Sequence, residues 1–302
     1  VNEEGDDDAL DDVEVGEVYE IALTALTMIR DEAVLQLDQG EAASHPAIGT
    51  LKRLFSYQGD RGIAVNFLLS RGFAWDAEIV LRSYYEVSAR ILFIALAEED
   101  EREGLLEEYW EVLGDIGDRK RAGKASESEA IFKADSPRDA AVMGFLRDPA
   151  HFSVEPKANK TTRKAIEQKW SFAEIVAALA KKESVKVGGL PEMKMLLHPY
   201  GTASHLIHAD AFAMELMRDR ATRSPEELLL LEETHACRII TDLVSLSYNA
   251  ADAVRRMLRG RFADPNNLHE TIVACLNLAR AVRTRFYDTQ APLYQRNGFS
   301  DF

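Results

Sequence analysis

The sequence predicts an all-α fold, a large multi-helix bundle, and three observations lead there. Apolar residues recur with a helical period through most of the chain. No stretch alternates apolar and polar residues regularly enough to read as a strand. Several helix starts carry a capping residue followed by proline or acidic residues. At 302 residues, with 46% hydrophobic and 29% charged side chains, the chain can bury a substantial core.

The elements follow in order. Residues 1–13 read as a disordered acidic leader, because residues 1–20 hold ten Asp/Glu and no Lys/Arg out of a net charge of -15. Helices are expected near 14–39, 46–71, 73–99 and 102–117. Within the second, Gly59 and Gly62 in "SYQGDRGIAV" each cost ~1 kcal/mol relative to alanine, enough to weaken or kink it. Residues 118–169 depart from the pattern. They contain Pro137, Pro149, Pro156 and the run "KANKTTRK", and are expected to form a basic, loop-rich excursion with short helical pieces. The helical period returns at 171–184, 200–221, 225–260 and 265–287, leaving 288–302 as a C-terminal tail. Ser171 with Glu174 has the spacing of a capping box. Ser224-Pro225-Glu226-Glu227 supplies a cap, a proline at the first helical position and acids at the positive end of the helix dipole. Ser136-Pro137 and Asp264-Pro265 repeat the cap-proline pair. The expected organisation is therefore the leader, one helical domain over 14–287 and the tail.

No apolar run approaches the ~18–20 residues of a membrane span, and no membrane partner is expected. Cys237 and Cys275 fall in helical stretches and form no framework of paired cysteines, so a reducing, cytoplasmic setting is expected. The acidic total conceals two basic regions. Residues 117–169 carry twelve Lys/Arg against eight Asp/Glu, and 255–285 carry seven against two. Local charge of that kind leaves contact with phosphates or an acidic partner open.

Two polar stripes stand out. In "WDAEIVLRSYYEVSARILFIAL" the charges Glu78, Arg82, Glu86 and Arg90 recur every fourth residue on a helix apolar around most of its circumference. Steps of four advance about 40° each, so the stripe spans an arc of about 120°. On a wet face these are ordinary acid–base pairs worth ~0.2–0.5 kcal/mol each. On a buried helix they must be paired, because an unpaired charge there costs several kcal/mol. The second stripe, in "HPYGTASHLIHADAFAMEL", places Tyr200, Ser204 and His208 four apart. Together they offer donors, acceptors and a group that titrates near neutral pH.

The segments "LLSRGFAWDAEIVLRSYYEVSARILFI" and "YGTASHLIHADAF" resemble a bacterial family known as domain of unknown function 5677. Its members resemble this chain in an R-x-x-x-E on an apolar helix and a Y-x-x-x-S-x-x-x-H on another. Here those positions are Arg82, Glu86, Tyr200, Ser204 and His208, and the likeness covers roughly residues 50–212. The resemblance brings no activity with it. It implies that the two stripes lie together in space. In that arrangement Glu86 or Glu78 would orient Arg82, and the guanidinium would face the hydroxyls and the imidazole.

Other chemistry finds less support. The R-x(4–6)-H spacing of HEPN ribonucleases does not occur. "RDPAH" leaves three residues between Arg147 and His151, and Arg261 to His269 leaves seven. Any HEPN likeness is of fold style, which does not transfer function. His205 with His208, and Glu232-x-x-His235, are fragments of metal motifs, and a helical di-iron site needs two E-x-x-H motifs and two further glutamates. No phosphate-binding loop, dinucleotide fingerprint or G-x-S-x-G elbow occurs. Neither metal nor cofactor is expected. The leading expectation is action on RNA or a phosphate-bearing ligand, with Arg82, Glu86 and His208 as the catalytic set and Tyr200, Ser204 and Glu78 binding. The alternative is a non-catalytic protein-interaction module with a structural polar seam, its basic segments docking a partner. Self-association is compatible with both.

Overall fold

A computed structural model describes residues 14–38, 45–148, 155–181 and 190–296. The expected leader, 1–13, lies outside them. The described residues are helical and include no strand. The chain divides into two compact units: residues up to Leu96 together with those from Leu179 onward, and Ala97–Ala178 between them in sequence. The segment read as a basic excursion falls inside the second unit.

The first unit opens with α1 (Val15–Asp38), α2 (Ile48–Ser70) and α3 (Ala74–Ala95). In the second, α4 (Glu99–Glu107) runs through a π turn at Glu108–Val112 into α5 (Leu113–Asp135), followed by α6 (Pro137–Leu146) and α7 (Lys160–Lys169). The unit boundary falls within α8 (Phe172–Lys181). The first unit resumes with a 3-10 turn at Pro191–Leu196, then α9 (Leu197–His208), α10 (Ala211–Thr222), α11 (Pro225–Met257) and α12 (Pro265–Arg296).

In the first unit α3 packs against α2, α11 and α9, while α1 lies against α2, α11 and α12. The core forms where α1, α3 and α11 meet. Val18, Ala22 and Ala25 of α1, Leu81, Ile91 and Leu92 of α3, and Ile239, Ile240 and Val244 of α11 are all fully buried. Burying a side chain of the size of Leu or Ile contributes ~1.5–3 kcal/mol, which explains why α3 tolerates apolar residues around most of its circumference. The second unit centres on α5, which packs against α6, α7 and the π turn.

Helix starts behave as their chemistry requires. Ser224 and Glu227 form a full capping box: Ser224 Oγ accepts from Glu227 N at 3.2 Å, and Ser224 N donates to Glu227 Oε2 at 2.9 Å. Ser171 makes only half of its expected box. Its hydroxyl accepts from Glu174 N at 3.5 Å, while Gln168 Nε2 holds the Glu174 carboxylate at 2.9 Å.

Three elements differ from expectation. Residues 118–135, expected to belong to a loop-rich stretch, lie in one continuous helix, 113–135. Arg119 pairs with Asp115 at 2.8 Å and Arg121 with Asp118 at 2.5 Å, both one turn apart, and the many Ala, Lys, Arg and Glu residues favour the helix. The helix expected over 200–221 breaks at Ala209–Asp210. Ala209 takes the left-handed conformation (φ 46°), and the Asp210 side chain caps α10 through Phe212 N and Ala213 N at 3.1 and 3.2 Å. The final helix runs to Arg296, past the expected end at 287.

Candidate functional site

The charged stripe of α3 serves two neighbouring helices rather than one hollow. Glu78 is fully buried and faces α11, whereas Arg82 and Glu86 face α9. The helix twist accounts for the division, since each four-residue step turns the side chain about 40° further round.

Toward α9, the Arg82 guanidinium makes a forked contact. Nη1 donates to Ser204 Oγ and Nη2 to Tyr200 OH, each at 3.1 Å. Nε lies 3.6 Å from Glu86 Oε1, and the guanidinium carbon stands 4.7 Å from the Tyr200 ring centroid. The Tyr200 hydroxyl in turn donates to Glu86 Oε1 at 2.9 Å, and Arg90 Nη2 reaches Glu86 Oε2 at 3.5 Å. Burial and the Glu86 carboxylate raise the Tyr200 phenol above its usual value, so the hydroxyl keeps its proton and remains a donor. The structure thus brings Arg82, Glu86, Tyr200 and Ser204 together. Each Arg82 nitrogen already faces an acceptor within the protein.

The other two predicted residues lie elsewhere. His208 is exposed at the last position of α9 and makes no hydrogen bond or ion pair with a described residue. His205 holds the corner that follows: its Nδ1 is 2.5 Å from Asp210 Oδ2, and its ring packs on Phe212 at 4.9 Å between centroids. That contact holds the Asp210 carboxyl below the usual range. Glu78, expected beside Arg82, belongs to a cluster with α11. Its Oε2 pairs with Arg238 and lies 3.4 Å from His235 Nε2, while its Oε1 has no hydrogen-bond partner. Arg238 Nη1 also donates to Asp242 Oδ2 at 2.7 Å and to Tyr85 OH at 3.0 Å, and Tyr85 OH donates to Asp242 Oδ2 at 2.5 Å. Burial raises the Asp242 carboxyl above its usual value against the opposing pull of Arg238. The Trp75 ring stacks on His235, with centroids 4.7 Å apart and planes 18° from parallel.

Sequence reasoning passed over Arg238, Asp242 and Tyr85, although a signal existed. "HACRIITDLVSL" carries Arg238 and Asp242 one turn apart within an apolar run, the same pattern that singled out α3.

The remaining chemistry is spare. Among the described residues no group of three or more His, Cys, Asp or Glu side chains could hold a metal ion. Glu232 pairs with Arg220, and His235 is committed to the Trp75 stack beside Glu78. Cys237 and Cys275 are free and buried, and burial pushes both thiols up to about 12. In "RRMLRGR", Arg255 and Arg256 both pair with Asp252, at 2.6 and 2.5 Å. No described helix is long and apolar enough to cross a membrane.

A second feature borders the α3 N-terminus. Phe73, Trp75, Met217 and Leu228, with Gly72, Asp76 and Arg220, line an open hollow of about 410 Å³ between the α2–α3 corner, α10 and the start of α11. Phe73 is 54% exposed and Met217 43%. The Arg220 guanidinium lies 5.0 Å from the Trp75 ring centroid.

No family model matches the chain, and no curated protein or solved structure matches it either. The likeness to domain of unknown function 5677 is carried by the quoted motifs alone.

Proposed function

We propose that the first unit is a non-catalytic helical docking module. In this reading the Arg82–Glu86–Tyr200–Ser204 seam holds α9 in place, and the hollow beside Trp75 receives an apolar anchor residue of a protein partner. The single observation that carries the reading is the contrast between the two places. Arg82 directs all its nitrogens at groups of its own chain, whereas Phe73 and Met217 leave large apolar surfaces in solvent around a hollow big enough for a side chain. Anchored interfaces concentrate their energy in such pockets, and methionine adapts to the shape it meets.

A helical-peptide display screen against the purified chain tests this. Binders should share one large apolar anchor, and Phe73→Glu should remove their binding while Arg82→Lys leaves it measurable. Binders that are indifferent to Phe73→Glu would overturn the reading.

One observation favours a second reading, in which the seam takes a phosphate of RNA or of a small ligand. Arg82, Glu86 and Arg90 remain 26%, 30% and 33% exposed. Filter binding with an RNA oligonucleotide over a salt series separates the two. Arg82-dependent binding that weakens steeply with salt supports the second.

A further inference from the structure

The glycines that make α2 a poor helix on paper shape a slot in the first unit. Gly59 and Gly62 line it together with Leu23, Ile29, Phe55 and Gln58, and the Tyr84 ring closes one side. A Cβ at Gly62 would lie 3.4 Å from Tyr84 Cε2, and one at Gly59 would lie 3.7 Å from Arg30 Cδ. The missing side chains leave a cavity of about 60 Å³ that opens between α1 and α2, where Leu23 and Ile63 are 45% and 52% exposed. A cavity of ~150 Å³ admits benzene, so this one suits something slimmer than an aromatic ring.

The polar floor determines what can enter. Ser88 Oγ donates its only hydrogen to the Tyr84 carbonyl at 2.7 Å, so it can only accept from Gln58 Nε2 at 2.8 Å. That arrangement settles the orientation of the Gln58 amide. Its oxygen has no partner among the described residues, although the residue is only 3% exposed. It is not sealed off, and Gln58 lines the slot. The other hydroxyls of the floor are already engaged. Tyr84 OH donates to the Leu243 carbonyl at 2.7 Å and contacts Ser247 Oγ. An acceptor at the floor of an apolar slot favours an entrant that brings a donor, because an apolar one would strip the oxygen of water and leave it unpaired.

We propose that this slot binds a small neutral molecule with a slender aliphatic body and a hydrogen-bond donor at its buried tip, in the class of short alcohols and primary amides. Gln58 Oε1 is the acceptor. A carboxylate would set oxygen against oxygen. An ammonium would bury its charge beside Arg30, whose acidic partner among the described residues, Asp31, lies 3.0 Å away on the exposed side of α1.

Titration calorimetry of the full chain with 1-pentanol and its isomer 1-methoxybutane tests the proposal, because the two have the same formula and similar length and only the alcohol carries a donor. Pentanol should bind saturably and about tenfold more tightly than the ether. Gln58→Met should erase that preference, and Gly59→Leu should abolish binding of both. Gly62→Ala, whose Cβ makes an ordinary contact with Tyr84, narrows the slot without threatening the fold and should weaken both ligands alike. Equal affinity for the isomers, pentanol binding untouched by both glycine variants, or no saturable binding up to on the order of 10 mM would each overturn it.

Discussion

Removing the Arg238 guanidinium is the most demanding test of how α3 and α11 are held together. Glu78 has no exposed side-chain surface and already leaves one oxygen unbonded. In Arg238→Ala it keeps His235 Nε2 at 3.4 Å as an ion-pair partner among the described residues, while Asp242 keeps the Tyr85 hydroxyl at 2.5 Å. Two carboxylates, Glu78 fully buried and Asp242 19% exposed, then share the interface without their cation. Breaking a buried pair costs ~3–5 kcal/mol, with the lower end applying because Arg238 is itself 26% exposed. That is a large share of the ~5–15 kcal/mol available to a folded domain. Urea unfolding followed by circular dichroism measures the loss. The pH dependence carries a sign. Asp242 is held above its usual value even with Arg238 present, so its folded carboxyl takes up a proton more readily than its unfolded one. Such a group favours the folded state at low pH and loses that contribution as pH rises through the folded value. Without Arg238 the shift grows, so the deficit of the variant narrows as pH falls from 7 toward ~4. Replacing both partners with apolar residues, Glu78→Leu with Arg238→Met, should recover much of the loss. A deficit below about 1 kcal/mol for Arg238→Ala, or one that stays flat with pH, would refute the account.

Three further outcomes follow from the same structure. Arg82→Ala should destabilise the first unit by ~1–2 kcal/mol and speed amide exchange in α9, and Arg82→Lys should rescue little because an ammonium cannot fork to Ser204 and Tyr200. Exchange measured by mass spectrometry would show whether α9 loosens while α12 does not. Ala209→Gly should raise stability by about 1 kcal/mol in denaturant melts, since glycine takes the left-handed conformation that alanine holds at φ 46° with strain. Cys237 and Cys275 should resist a thiol-specific disulfide reagent at pH 8 until the chain unfolds, because burial leaves almost no thiolate.

Local physics made the helices readable. Apolar residues at helical spacing specify a buried stripe, and Ser224-Pro225-Glu226-Glu227 satisfies its orphan N–H groups from within four residues, so the start of α11 needs nothing distant. The charged stripe on an apolar α3 was equally visible, as was the need to pair it. Where each charge would turn was not, because a helix wheel places Glu78 and Arg82 only about 40° apart. The packing of α11 on one side and α9 on the other sends one inward to Arg238 and the other to Tyr200 and Ser204. The break at Ala209 escaped notice for a related reason: no glycine or proline marks it, and the Asp210 cap forms only once the chain has turned. The chain by itself determined its helical character, its caps and the list of polar residues that had to find partners. The tertiary structure alone decided the pairings, because residues far apart in sequence meet only where apolar faces have already brought their helices together.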